Sequence, residues 1–231
     1  MNRTLKVVRM QLVNRQTYIW VPLLVLGSAF VITLAIYAIL ENAGIHEPKY
    51  GGGAQAPLWV LIGLGAQALT FTFPFSQAMS VTRREFYLGT LLSAALTSAM
   101  LAIIFVVGGF VEQVTGGWGM NGYFFALDWL WAGGPVIAGL FFFVLAMLFF
   151  IIGFCAATIF KRFGTLWLTV SILAVAALLV AALWVVGQAN AWVQAFTWFA
   201  EIGAGGLTAL LAAATVVLAL VSFPVLRRAT P

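Results

Sequence analysis

The residues with the most chemistry per unit length lie in one hydrophilic stretch, Ser80-Val81-Thr82-Arg83-Arg84-Glu85-Phe86-Tyr87-Leu88-Gly89. Thr82 and Glu85 have the S/T-x-x-E spacing of a capping box, in which hydroxyl and carboxylate each accept a backbone N–H at a helix start. Arg83 and Arg84 add two cations, and Phe86 and Tyr87 follow as an aromatic pair on the same helix. This is the chemistry of docking rather than of bond breaking: a self-capped helix, charged first and aromatic next. An ordinary loop with basic membrane anchors has the same composition, and spacing alone favours that plainer reading. A second polar set, Gln67, Thr70, Pro74 and Gln77, is spaced i, i+3, i+7, i+10 and shares one helix face. Such a face lines a path or hydrogen-bonds to a neighbouring helix, and the spacing suits both.

Other chemistry is missing. His46 is the only histidine and Cys155 the only cysteine, which excludes intramolecular disulfides, cysteine-based metal sites and most histidine-dependent catalysis. There is no G-x-x-x-x-G-K-[ST] loop for ATP and no G-x-S-x-G elbow. No carboxylate falls in the middle of an apolar run, which argues against a proton relay. The chain is not expected to be an enzyme, and no metal or cofactor of its own is expected.

These residues sit among long apolar runs. The 231 residues are 64% hydrophobic and 7% charged, against about 25% charged in soluble domains, and mean hydropathy is +1.09. The runs are continuous rather than alternating, so the spans are helices and not barrel strands. The expected fold is an all-α integral membrane protein, with an amphipathic interfacial helix at 1–17 and a single transmembrane domain at 18–231. In the N-terminal helix Met1, Leu5, Val8 and Leu12 share a face, flanked by Arg3, Lys6 and Arg9. Six spans are read at about 18–40, 57–79, 89–111, 134–160, 165–187 and 206–226. Thr90, Ser93 and Thr97 form a small-residue packing face on the third span. The aromatic segment 112–132 is expected to lie in the headgroup layer. Residues 188–204 suit a short interfacial helix, broken by Gly203, Gly205 and Gly206.

Charge placement orients the spans. With both termini in the cytoplasm, Arg3, Lys6, Arg9, Arg15, Arg83, Arg84, Lys161, Arg162, Arg227 and Arg228 are inside, and Lys49 alone is outside. Glu41, Glu47, Glu112, Asp128 and Glu201 are outside, and only Glu85 is inside. Lys and Arg retained on one side is the positive-inside pattern of a multi-pass membrane protein, and the expected location is the plasma membrane. The net charge of +5 is thus accounted for by membrane lipids rather than nucleic acid.

From Val81 to Gly89 the stretch resembles the "G-[VS]-[ST]-R-[RK]-[DE]-[FY]-[FYL]-x-G" segment of type-2 ATP-binding-cassette (ABC) exporter permeases. It departs at Ser80, where the family often has glycine. Elsewhere the similarity is one of layout: a connecting helix at the start, six spans, and a broken aromatic hairpin before the last. The resemblance implies a permease subunit moving a hydrophobic or amphipathic substrate such as a drug, lipid or peptide. Its expected partners are cytoplasmic ATPase subunits, which would hold ATP and Mg, and a second permease copy or sister permease. Thr82, Arg83, Arg84, Glu85, Phe86 and Tyr87 would then form the coupling helix against the ATPase, the aromatics supplying buried area. Gln67, Thr70 and Gln77 would line the pathway or pack. The alternative is an ATPase-independent scaffold or sensor that uses the 80–89 turn for another cytoplasmic partner.

Overall fold

The computed structural model describes residues 3–13 and 15–227. Met1, Arg228 and the side chains of Arg3 and Leu5 lie outside the described residues. Six helices among the described residues are long and apolar enough to cross a membrane: Gln16–Asn42, Gly52–Ala78, Arg83–Val114, Pro135–Phe163, Thr165–Gln188 and Trp192–Arg227. The architecture is that of an all-α, multi-pass membrane protein.

A helix α1 (Arg3–Val13) precedes the first span. That span opens with a π-helical turn at Gln16–Trp20 and continues as α2 (Val21–Asn42). The second span is assembled from α3 (Ala56–Gln67), a π-helical turn at Ala68–Thr72 and α4 (Phe73–Ala78). Both π turns sit just ahead of a proline, Pro22 and Pro74, each near the start of the α-helix that follows. A proline within a helix cannot donate to residue i−4 and crowds that carbonyl, and one extra residue in the turn relieves this. The third span, α5 (Arg83–Val114), begins before its apolar run does, because the cap at Thr82 starts it.

After a short helix α6 (Asp128–Trp131), the fourth span, α7 (Pro135–Phe163), is the centre of the bundle and packs against α3, α5 and α9 (Trp192–Arg227). Its approach to α3 depends on two glycines. A Cβ on Gly65 would lie 2.0 Å from the Phe150 carbonyl oxygen, and one on Gly153 would lie 1.9 Å from that of Ile62. Aromatic stacking fills the α5–α7 contact, with Phe105 and Phe142 centroids 4.1 Å apart. The face read as packing is buried at Thr90, Ser93 and Thr97. In contrast, α8 (Thr165–Gln188) has no buried residue along its length. The chain turns at Gly203 (φ 63°), which divides α9 into a short aromatic piece and the sixth span.

At the end of the bundle away from the capped turn, the two longest connections fold onto each other. β1 (Lys49–Tyr50) pairs in parallel with β2 (Gly122–Tyr123). Lys49 is buried there, its Nζ 2.6 Å from Glu41 Oε2 and 2.8 Å from the Met120 carbonyl. The segment 112–132 is therefore folded against the bundle and the 43–51 connection rather than extended. Phe124 and Phe125 are buried, meeting Phe30 at centroid distances of 5.3 and 5.4 Å. Beneath them the Glu112 carboxylate is fully buried and accepts four N–H groups. Trp118 Nε1 and Phe124 N reach Oε1 at 2.6 and 2.7 Å, and Phe125 N and Ala126 N reach Oε2 at 2.7 and 2.6 Å.

Candidate functional site

The corner between α4 and α5 is fixed from both sides. On the α4 side, Val81 N donates to the Ser76 carbonyl (3.1 Å) and Ser80 N to that of Gln77 (3.0 Å). These are the two bonds of a Schellman C-cap. Its left-handed position is Ser80, at φ 56°. On the α5 side, Glu85 N donates to Thr82 Oγ1 (3.3 Å) and Thr82 N to Glu85 Oε2 (3.0 Å), the reciprocal capping box. Helix end and helix start are thus joined through a few residues, with the N–H groups of Ser80, Val81, Thr82 and Glu85 all bonded. Ser80→Gly should stabilise the protein by about 1 kcal/mol, since a left-handed residue with a Cβ is strained by about that much. Thermal unfolding in detergent measures it, and a lower midpoint would contradict the assignment.

Behind the corner, attachments to three elements, α4, α9 and α1, tie it to the rest of the molecule. Phe86 is fully buried against Phe73 (5.1 Å between centroids). Tyr87 is buried too; its hydroxyl donates to the Ala219 carbonyl and lies 3.1 Å from Ser222 Oγ, both on α9. Arg83 donates through Nη1 to the Arg227 carbonyl at the end of α9. The third element is α1, which lies across α5 where Gly89 leaves room: a Cβ there would stand 2.6 Å from Val7 Cβ. One turn on, buried Gln11 Nε2 donates to Thr90 Oγ1 (2.9 Å). The exposed side of α1 carries Lys6 and Arg9, while Val7, Val8 and Gln11 face protein.

The aromatic pair is thus packed inside the chain itself. Phe86 and Tyr87 give no surface to a soluble partner, because α4 and α9 already cover them. Arg83 is half-buried, and Glu85 is committed to the cap. What the corner presents outward is Met79 (60% exposed), Ser80, Thr82 and Arg84. Beside it, Lys6 and Met10 of α1 complete a cleft of about 260 Å³ with Met79, Ser80 and Val81. Met79 has no role in the sequence reading, and Lys6 enters it only as a basic flank of the N-terminal helix. The signal available was an unbranched apolar residue directly before a self-capped turn.

The polar face expected on the second span is also rearranged. The π turn at Ala68–Thr72 adds a residue between Gln67 and Gln77, so a plain i, i+3, i+7, i+10 face does not form. Thr70 returns its hydroxyl to the Ala66 carbonyl (2.9 Å), and Gln77 Nε2 donates to the Val81 carbonyl (3.2 Å), closing the corner. Gln67 alone points outward, on a strip with exposed Trp59, Phe71 and Phe75. Among the described residues, no group of three or more His, Cys, Asp or Glu side chains could hold a metal ion. Comparison of the chain with protein-family models, curated proteins and solved structures finds no match.

Proposed function

We propose that this chain is the transmembrane permease subunit of an ABC exporter in the plasma membrane, with the capped corner and both termini in the cytoplasm. It would move a hydrophobic or amphipathic substrate, using ATP and Mg held by separate ATPase subunits. The reading rests on one observation above all: the 79–85 corner is capped from both helices and exposed at its tip, and it continues into a start of α5 that contacts three separate parts of the bundle, α4, α9 and α1. A partner that displaced the tip would pull α4 through Phe86, the end of α9 through Tyr87 and Arg83, and α1 through Gln11. Such an element can convert a docking event into helix movement, the mechanical need of a transporter whose energy comes from another chain. The similarity of Val81–Gly89 to the exporter segment supports the same assignment.

A second permease subunit fits the second span. Gln67 presents an amide outward from a span otherwise lined by Trp59, Phe71 and Phe75. An amide facing hydrocarbon is costly, and an adjoining subunit or a shared aqueous path would hydrate or bond it.

The first test is purification from the native host in mild detergent. An accompanying ATPase that hydrolyses ATP is the expected result. A chain isolated alone, or with a partner lacking a nucleotide site, would replace this reading with the scaffold alternative. A sharper test is the double variant Met79→Asp, Arg84→Ala. Both side chains are exposed, so insertion should be unchanged while affinity for the ATPase falls about tenfold or more. Normal transport in that variant would remove the corner from the coupling role. Phe86 is unsuited to this test, because its replacement acts on the core.

A further inference from the structure

A groove of about 380 Å³ opens between the start of α5 and the end of α9. Its walls are apolar: Leu88 and Leu91 on one side, Val216, Leu220 and Pro224 on the other, with Tyr87 and Phe223 at the back. From Val216 to Pro224 it runs about 12 Å along the helix. Leu88, Val216 and Leu220 are exposed, so the groove opens to the surroundings of the bundle rather than to its core.

One end is cationic. Arg84 lines the groove, is exposed, and makes no hydrogen bond or ion pair among the described residues. The Arg227 guanidinium stands 5.9 Å from the centroid of Phe223, at the same end. Arg83 is joined to the Arg227 carbonyl, which brings a third positive charge to the rim. Glu85, next to Arg84 in the chain, is engaged by Thr82. A cationic rim above a narrow apolar channel between two membrane helices is complementary to one class of molecule.

We propose that this groove is a binding site for a single anionic phospholipid, its phosphate on Arg84 and Arg227 and one acyl chain along Leu88, Leu91 and Leu220. The apolar walls do little to choose the lipid, because any lipid chain is equally content in neighbouring hydrocarbon. They fix its position. Selectivity comes from the guanidinium groups, which bind phosphate through paired, charge-assisted hydrogen bonds. The buried hydroxyl of Tyr87 does not take part, since α9 already occupies it. The site concerns this chain and the leaflet beside the corner, and does not depend on the exporter reading.

The test uses the full-length chain without any ATPase, purified into detergent containing equal phosphatidylglycerol and phosphatidylcholine, with bound lipid counted by native mass spectrometry. One phosphatidylglycerol per chain should be retained over phosphatidylcholine. Arg84→Gln and Arg227→Gln should each reduce that preference about fivefold, the value of one basic residue near an anionic surface. Leu220→Trp, which fills the groove and leaves the rim intact, should remove the bound lipid. All three side chains are exposed, and unchanged thermal unfolding confirms that the fold is kept. Equal retention of the two lipids, retention unaffected by Arg84→Gln, or a Leu220→Trp variant that still holds phosphatidylglycerol would each overturn the proposal. Displacement of the lipid by millimolar inorganic phosphate would also overturn it, as a phosphate site that does not read the acyl chain.

Discussion

Glu112→Ala is expected to lower stability by about 4 kcal/mol, because it leaves several buried donors without an acceptor at about 1–3 kcal/mol each. The three backbone donors, Phe124 N, Phe125 N and Ala126 N, belong to buried residues, and Trp118 Nε1 is the fourth. Water entering the vacated space would recover part of the loss, which is why the expected value lies well below the full sum. Glu112→Gln separates hydrogen bonding from packing. Its amide keeps the shape, and its single carbonyl oxygen can serve one pair of donors. The NH2 group must then face the other pair, so about half the loss should appear. The readouts are thermal unfolding in detergent and protease cleavage within 115–126, both of which should order the proteins wild type, Gln, Ala. Equal stability of all three would mean that this carboxylate does not hold the cap.

Gly153→Ala comes next, at about 3 kcal/mol or more, near the upper end of what overpacking costs. The new methyl would lie 1.9 Å from the Ile62 carbonyl oxygen, with Ile62 C and Cα at 2.7 and 2.8 Å. All three are backbone atoms, so no side-chain rotation relieves the clash, and α3 and α7 must move apart. Separation also weakens the reciprocal contact at Gly65. Gly65→Ala should match the effect, while Gly63→Ala, with open space around it, should be neutral or mildly stabilising. Yield of folded protein after detergent extraction distinguishes them. Three equal yields would show that the helices do not depend on this contact.

Sequence carried the parts of the structure that are local or statistical. The spans follow from the length and continuity of apolar runs, and the helix start at Thr82 from two side chains three residues apart. Residues whose roles depend on a distant partner were less legible. Tyr87 reads as a docking aromatic because nothing near it in the chain says that α9, more than a hundred residues on, returns to cover it, and the burial of Phe86 against Phe73 depends on how the second span folds back on α5. Gly65 and Gly153 sit in apolar runs no different from those around Gly27 and Gly63, which touch nothing within 4 Å. The π turn that disrupts the Gln67 face does have a local cause in Pro74, but fixed 3.6-residue counting conceals it. Glu112 stood as an ordinary loop acid, although its place at the end of a span, shortly before Gly116-Gly117-Trp118-Gly119, leads into backbone turns that aim N–H groups back at it. Ser80 is a further case. The corner has Schellman geometry with serine in a position suited to glycine, a turn that the letter itself does not announce.

The bare surface of α8 has a consequence for how this chain drifts. A residue in α7 answers to its neighbours in the fold, so few replacements pass at Gly153 or Phe150. Along α8 no side chain is buried, and the fold imposes little beyond apolarity and helix length. Lipid neighbours would permit nearly free exchange among Leu, Val, Ile, Ala and Phe at every position, whereas an adjoining subunit would protect one stripe and release the rest. The substitutions that survive along Thr165–Gln188 are therefore a record of what surrounds the chain in the membrane.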